Sequence, residues 1–435
     1  MTNLLLLAVF FTLAQARSIY DYVIIGGGTA GLTIAARLTE DPNVSVIVLE
    51  AGNDHSNDTV VLSPALYTIM YGNQEYDWNF HTVPQVYANG QIIAHPRGKQ
   101  LGGSSAMNFL FWTHTSQQDL NNWGILGNAN WSWSSVDPCF KKSEAYVTPT
   151  AQIKEGLLTT IDGSLHGDNG AIKNTFPDRY GLLDKAWPRT FEKMGLAVDS
   201  DPRNGLALGD YTNLLNLNLT KKSRSYAATA YYLPAAKRPN FKILTGAHVQ
   251  KILFNDPKTG GENVVTANGV QYSVGSIALK VHARKEVILS AGAIGSPQIL
   301  ELSGIGNPEI LVLSGIETLD DFKNSAYFDK AYAEYLANAT GPLSSTGASS
   351  GLLSCPQIGC SDLNPPVDFS HLPLGLADQY KIISENFHTE AIAQELTVSG
   401  GMSPQYVNDT TKLFTTNLDG NFFSILGVLE HPYSR

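Results

Sequence analysis

Cysteine is scarce, with three residues in a chain of 435. Three thiols cannot build a disulfide framework. Cys355 and Cys360, in SCPQIGC, are spaced to close one short loop, which leaves Cys139 unpaired. No His or Cys cluster with ligand spacing lies near any of them, so no metal site is expected. Basic residues are in deficit as well: Lys and Arg number 29 against 39 Asp and Glu, a formal net charge of −10. No long Lys/Arg run occurs, and the positive footprint that a nucleic-acid partner requires is missing. Beyond Arg17 there is no apolar run of the roughly 20 residues needed to span a bilayer.

What is present is ordinary for a globular protein: 43% hydrophobic and 16% charged residues, with 39 glycines. The length suffices for a large core and points to two interleaved domains. The N-terminus is less ordinary. LLLLAVFFTLA followed by Ala14-Gln15-Ala16 matches a signal-peptide core with a small-x-small cleavage site, although a positively charged start is absent. A buried N-terminal element is the alternative, but a strand begins at Tyr22 and leaves it little room. Residues 1–17 are therefore read as a signal peptide and the protein as secreted. Asn-x-Ser/Thr sequons at Asn43, Asn57, Asn130, Asn218, Asn338 and Asn408 are compatible with a secreted glycoprotein. Asn43, just before a core strand, is a poor glycan site.

The stretch from Tyr22 to Glu50 has a β-α-β pattern: YVIIG as a buried strand, TAGLTIAARLTE as a helix, VSVIVLE as a second buried strand. A helix is predicted from Val136 to Tyr146, starting at a Ser134-Ser135 cap. FKILTGAHVQKILF reads as strands broken by a turn at Gly246. KEVILSAG reads as a short buried strand running into a helix start in GSPQILELSGIG, with Pro297 near its first turn. Strands and helices alternating across separated stretches indicate an α/β fold, with a Rossmann-like domain interleaved with an α+β domain of mixed sheet and helices. The expected division is 18–139 with 200–318 for the first, and 140–199 with 319–435 for the second.

Gly26-Gly27-Gly28-Thr29-Ala30-Gly31 supplies G-x-G-x-x-G directly between strand and helix. Gly26 permits the tight turn, Gly28 lets the backbone approach a pyrophosphate, and Gly31 allows helix and strand to pack closely. The helix N-terminus presents free N–H groups and partial positive charge to phosphates. Glu50, at the end of the second strand, is placed to accept hydrogen bonds from ribose hydroxyls; a solvated strand end is the competing reading. This half of the site does not separate FAD from NAD.

Two further runs do. One is 98–108, GKQLGGSSAMN, with Phe111 and Trp112 behind it; the other is 292–306, GAIGSPQILELSGIG. Together with the N-terminal fingerprint they resemble the glucose-methanol-choline (GMC) family of FAD-dependent oxidoreductases, from about Tyr20 to the end of the chain. The resemblance implies FAD as cofactor and a loop along it carrying Gly102, Gly103, Ser104 and Asn108, with Phe109, Leu110 and Phe111 beside the flavin by adjacency. It implies phosphate and ribose contacts at Thr29, Ala30, Glu50 and Ala51, and an adenine contact through the backbone at Val249. Trp78, in YDWNF, is a further cofactor candidate, with a place in the core as an equal alternative. The second run is expected to serve a largely structural role.

Such enzymes resemble one another in mechanism: a histidine takes the alcohol proton while hydride passes to flavin N5. The resemblance places that histidine in a C-terminal segment. No stretch here after the second run resembles it, and after Thr318 the text passes into LDDFKNSAYF without the family's usual glycine-rich continuation. The chain is thus read as lacking an internal segment and the C-terminal catalytic segment, and no catalytic residue is assigned. His431 reads as a strand-end histidine, His95 and His114 as local hydrogen-bonding residues, and His371 and His388 lack recognisable partners. The function expected is oxidation of a primary alcohol or sugar hydroxyl, with oxygen or another electron acceptor. A catalytically silent FAD-binding remnant is the alternative, and the 98–108 loop argues against a NAD-dependent dehydrogenase. The aromatic YDWNFHTVPQ and FLFWTH suggest an aryl-alcohol type of pocket, which core packing explains equally well.

Overall fold

Apolar residues on both sides of a short strand require cover on both faces, and β1 (Ile19–Ile25) and β2 (Val46–Leu49) receive it. Val23, Ile25, Ile47 and Leu49 belong to one core cluster, while Ile24, Val46 and Val48 belong to another. The period-two alternation of a strand produces this division. The computed structural model describes residues 19–149, 151, 161–176, 182–195, 201–205, 212–255 and 265–306, and the backbone of an antiparallel pair, Ala393–Val398 with Ser424–Leu429. The signal-peptide run, Cys355, Cys360, Asn338, Asn408, the Thr318-Leu319 junction, His371, His388 and His431 lie outside the described residues.

Four more strands complete the central sheet: β3 (Phe241–Leu244), β4 (Ala247–Phe254), β5 (Ala267–Val274) and β6 (Ile277–Leu289), in the order β3-β2-β1-β6-β5-β4. The pairs β3-β2, β2-β1 and β1-β6 are parallel, whereas β6-β5 and β5-β4 are antiparallel. The class is α/β, as the sequence predicts, and the sheet of this unit is mixed. Gly246, at φ +64°, makes the turn between β3 and β4. Those two strands are neighbours in sequence but end on opposite edges, because Ala247 N–H donates to Glu50 O at 2.8 Å and steers the chain across the end of β2. The β4-β5-β6 meander then covers one face of the parallel strands, with Val249, Ile252, Val270 and Tyr272 in its core. Helix α1 (Thr29–Leu38) covers the other face through Ala35 and Ala36, together with Tyr231 and Ala235.

Three expectations need correcting. The helix predicted over 136–146 runs from Trp133 to Ser143 (α2), and Glu144–Tyr146 is a short strand parallel to Ile172–Asn174. It starts early because Asn121 Oδ1 accepts the Trp133 N–H at 3.1 Å. It stops early because Glu144 is drawn into a buried cluster, accepting from Asn174 Nδ2 at 3.1 Å and from Gly167 N–H at 3.1 Å. KEVIL is not a short buried strand but the end of the 13-residue β6, whose Lys285 and Glu286 are exposed. The helix after it, α3 (Gly292–Leu302), begins at Gly292 and contains Pro297 in its interior rather than near its first turn.

Candidate functional site

All four parallel strands point their carboxyl ends the same way, and β1 lies where chain connections leave to both sides. Ligands of open α/β sheets bind in the crevice at such a point. The structure has a cleft of about 880 Å³ there, lined by Ile25, Leu49, Leu289 and Ala247 at the strand ends.

The glycine fingerprint forms its floor. Gly26 turns at φ +93°, where a Cβ would sit 2.6 Å from Ser290 O. Gly31 lies on the fingerprint's own backbone: a Cβ there would be 2.0 Å from Gly26 O. Gly28 differs from both, since a Cβ on it meets only Gly103 Cα, at 3.8 Å. Gly28 is also the N-cap of α1 and offers no side-chain cap. An uncapped helix start with partial positive charge therefore opens on the cleft, a site suited to an anionic oxygen.

The 98–108 loop forms the facing wall. Gly102 N–H donates to Gly27 O at 2.8 Å, and the Thr29 hydroxyl donates to Gly102 O at 3.4 Å. This stitching sets Gly103 against Gly28, and Gly98, Gly103 and Ser104 line the cleft.

Glu50 closes the side of the cleft at the end of β2. It is 6% exposed, so the solvated strand-end reading is overturned. Its Oε2 accepts from Gly27 N–H at 2.7 Å and its Oε1 from Gly52 N–H at 2.8 Å. Burial raises the carboxyl above its usual range, and those backbone bonds oppose the rise. Each carboxylate oxygen keeps a lone pair for a hydroxyl donor.

Of the predicted site residues, Gly26, Gly28, Thr29, Ala30, Glu50, Ala51, Trp78, Gly103, Ser104 and Val249 all line this one cleft. Trp78 is a wall residue: it stacks on Phe80 with centroids 5.7 Å apart, and the Lys99 ammonium lies 5.3 Å from its ring centre. Beside Val249 the β4-β5 register shifts by a residue, a bulge that loosens the ladder at the cleft. Gly31 and Gly102 support the cleft from behind. Asn108, Phe109, Leu110 and Phe111 do not form its wall. Phe109 packs against the rings of Tyr67 and Tyr71, Leu110 is 2% exposed, and Phe111 pairs with Leu215.

Sequence reasoning missed several lining residues. The 292–306 run is not only structural, since Gly292, Ala293, Gly295 and Ser296 line the cleft, with Ser290 just before them. Ser290 Oγ donates to Ile25 O at 2.9 Å and ties that wall to β1. Arg97, Phe80 and His248 were also missed, as was Lys99, which reaches the ring of the wall residue Trp78 without lining the cleft itself. The basic pair two residues apart, immediately before the glycine loop, was a readable signal for Arg97 and Lys99. Burial, followed by the charge of Lys99, lowers the affinity of His248 for a proton.

His114 is not a local hydrogen-bonding residue. Its Nε2 is buried without a partner among the described residues, and its ring meets Trp112 and Phe140 edge-on. Burial holds it neutral by pushing its pKa down to about 3. Among the described residues, no group of three His, Cys, Asp or Glu is arranged to hold a metal ion, and no helix is long and apolar enough to cross a membrane.

Residues 20–322 match the family model described as GMC oxidoreductase. The chain is 40% identical over 290 residues to the GMC oxidoreductase family protein Mala s 12 of Malassezia sympodialis, covering 65% of this chain and 46% of that protein. It is 36% identical over 296 residues to glucose oxidase 2 of Penicillium expansum, covering 66% and 47%. A solved FAD-dependent oxidoreductase from Chaetomium thermophilum superposes with a TM-score of 0.68 at 27% identity, covering 86% of this chain and 71% of that one. The chain spans about half the length of the curated relatives it matches.

Proposed function

The chain belongs to the GMC oxidoreductase family, whose members and structural neighbours depend on FAD, and on that premise we propose that the 880 Å³ cleft is its FAD site. One observation carries the assignment. At Gly28, the uncapped start of α1, a Cβ would project into open cleft and meet only Gly103 Cα. That is the space a pyrophosphate fills. Gly28, Thr29 and Ala30 would hold the phosphates through backbone N–H groups, Glu50 the ribose hydroxyls, and Val249 the adenine through its backbone. The Ser104 wall would continue towards the heterocycle, with Asn108 one turn further on.

When bound, FAD supplies a two-electron acceptor for hydride from an alcohol carbon. The residues of the cleft bind, orient and exclude water from that cofactor; none is assigned as the base. His248 follows Ala247, which is tied to Glu50, and so belongs to the ribose end of the cleft rather than to the reacting end. For the whole protein we propose oxidation of a CH–OH donor, a primary alcohol or sugar, with oxygen or another acceptor. The apolar run before Arg17 and the sequons support a secreted glycoprotein.

The test is reconstitution. The purified chain is incubated with FAD, desalted and read for flavin absorbance and fluorescence. Stoichiometric retention is expected; no retained flavin, or turnover that requires a nicotinamide, sinks the reading. Flavin that is retained but not reduced by any alcohol or sugar would favour the silent binder.

A further inference from the structure

Arg224 is buried, at 1% exposure, behind the turn that follows the cleft wall. Asn108 N–H donates to Ser104 O at 3.0 Å, so Asn108 stands one turn beyond a lining residue. The guanidinium meets this turn from inside the protein. Its Nη1 donates to Asn108 Oδ1 at 2.6 Å, to Asn108 O at 2.8 Å and to Ser105 O at 3.4 Å, and its Nε donates to Val61 O at 3.0 Å. Among the described residues Nη2 has no partner, and neither does the buried Tyr226 hydroxyl. The ionisable groups among the described residues that act on the guanidinium are the phenols of Tyr71, Tyr226 and Tyr67, and it forms no ion pair with a carboxylate of those residues. A buried cation without a counter-ion is costly, and a fold that needed only a tie at this point would use a neutral donor.

The cation decides which way the Asn108 carboxamide faces. A carboxamide can turn its oxygen or its NH₂ group toward a neighbour, but a guanidinium only donates. Oδ1 must therefore face inward, where it also accepts from Leu110 N–H at 3.1 Å. Nδ2 is left without a hydrogen-bond partner among the described residues, on a side chain that is only partly buried. Aspartate would have answered the buried charge with an ion pair. Asparagine leaves the charge uncompensated and adds two N–H donors.

We propose that Arg224 is a positioning residue, which fixes the Asn108 amide so that its N–H donors meet a hydrogen-bond acceptor on the isoalloxazine of bound FAD while the buried positive charge remains uncancelled behind it. This rests on the FAD reading above. The juxtaposition links residues 116 apart in sequence.

Asn108→Asp separates positioning from mere tying. The substitution is isosteric and keeps the tie to Arg224 as an ion pair, but it removes the Nδ2 N–H groups and cancels the charge. FAD titrated into the deflavinated full chain, followed by flavin fluorescence, is expected to bind at least tenfold more weakly to Asn108→Asp than to wild type. The flavin that does bind should show a more negative midpoint potential and a shifted absorption band, while the melting temperature of the apo chain is unchanged or higher. Arg224→Met is expected to weaken FAD binding as well, and Arg224→Lys, which restores a cationic donor, to recover most of it. Wild-type affinity, spectrum and potential in a folded Asn108→Asp overturn the proposal. Should that variant not fold, equal FAD affinity in Arg224→Met and Arg224→Lys overturns it instead. If wild type itself takes up no FAD, the cofactor reading fails, and this inference with it.

Discussion

Gly28 and Gly103 face each other backbone to backbone. A Cβ built on Gly103 would lie 2.9 Å from Gly28 Cα, whereas one built on Gly28 clears Gly103 Cα by 3.8 Å. The two glycines are therefore required for different reasons. Gly103 is needed by the protein's own packing, and Gly28 by whatever enters the cleft.

Substituting Gly28 should consequently separate binding from folding. Gly28→Leu is expected to fold with a stability within about 1 kcal/mol of wild type, because the backbone at φ −81° suits any residue. It should nevertheless lose FAD retention, since its side chain occupies the phosphate position. Absorbance of the desalted protein together with a urea melt reads both quantities; undiminished flavin content would remove Gly28 from the site.

Gly31→Ala should show the opposite profile. Its Cβ would be placed 2.0 Å from Gly26 O, and the helix must shift to relieve the contact. A loss of about 1–3 kcal/mol in unfolding free energy is expected, as for other overpacked sites. A denaturation midpoint equal to wild type would show that α1 is not held against β1 as described.

Glu50→Gln tests the carboxylate. Gly27 N–H and Gly52 N–H both require acceptors, and an amide offers only one acceptor oxygen. One buried N–H is left unpaired, at a cost of about 1–3 kcal/mol, and FAD affinity should fall with the loss of a ribose acceptor. Calorimetric titration with FAD, alongside a thermal melt, separates the two effects.

A histidine held between two carboxylates makes the fold sensitive to alkali. His166 Nδ1 lies 3.0 Å from Glu144 Oε1 and its Nε2 3.0 Å from Asp201 Oδ2, with the ring stacked on Tyr146. Burial opposes the charge, but the hydrogen bonds of Asp201 and Glu144 outweigh it and lift the pKa from 6.5 to about 9. The folded value is the higher one, so the stabilisation is fully present below pH 6.5 and is lost as pH rises through about 9. Wild type should lose a few kcal/mol over that window, since each tenfold gain in proton affinity on folding contributes about 1.4 kcal/mol. His166→Gln should be less stable at pH 6 and show a flat profile. Parallel pH dependences for the two proteins, measured by melts from pH 6 to 10, would exclude the clamp.

Much of this site was legible because its parts are local. The β-α-β run from Tyr22 to Glu50 places Gly26, Gly28, Thr29 and Glu50 within a single unit, and strand and helix periods dictate which way each faces. The 292–306 run reads as largely structural in the sequence because nothing in GAIGSP states which side of the sheet end it will occupy. The extent of α2 was misjudged for a related reason: its ends are set by Asn121 and by the Glu144 cluster, which are remote partners rather than local caps.

By itself the sequence determined the class of fold, the glycine turn and the acid that follows it, since apolar periodicity and backbone sterics act over a few neighbouring residues. Only the tertiary structure decided that Glu50 is buried with both oxygens bonded, that a Cβ on Gly28 would face open cleft while one on Gly31 would not, and that Arg224 bonds the Asn108 side-chain oxygen. It also placed His166 between carboxylates 22 and 35 residues away in the chain. Those outcomes depend on which distant groups share a low-dielectric interior, and neither residue type nor spacing encodes that proximity.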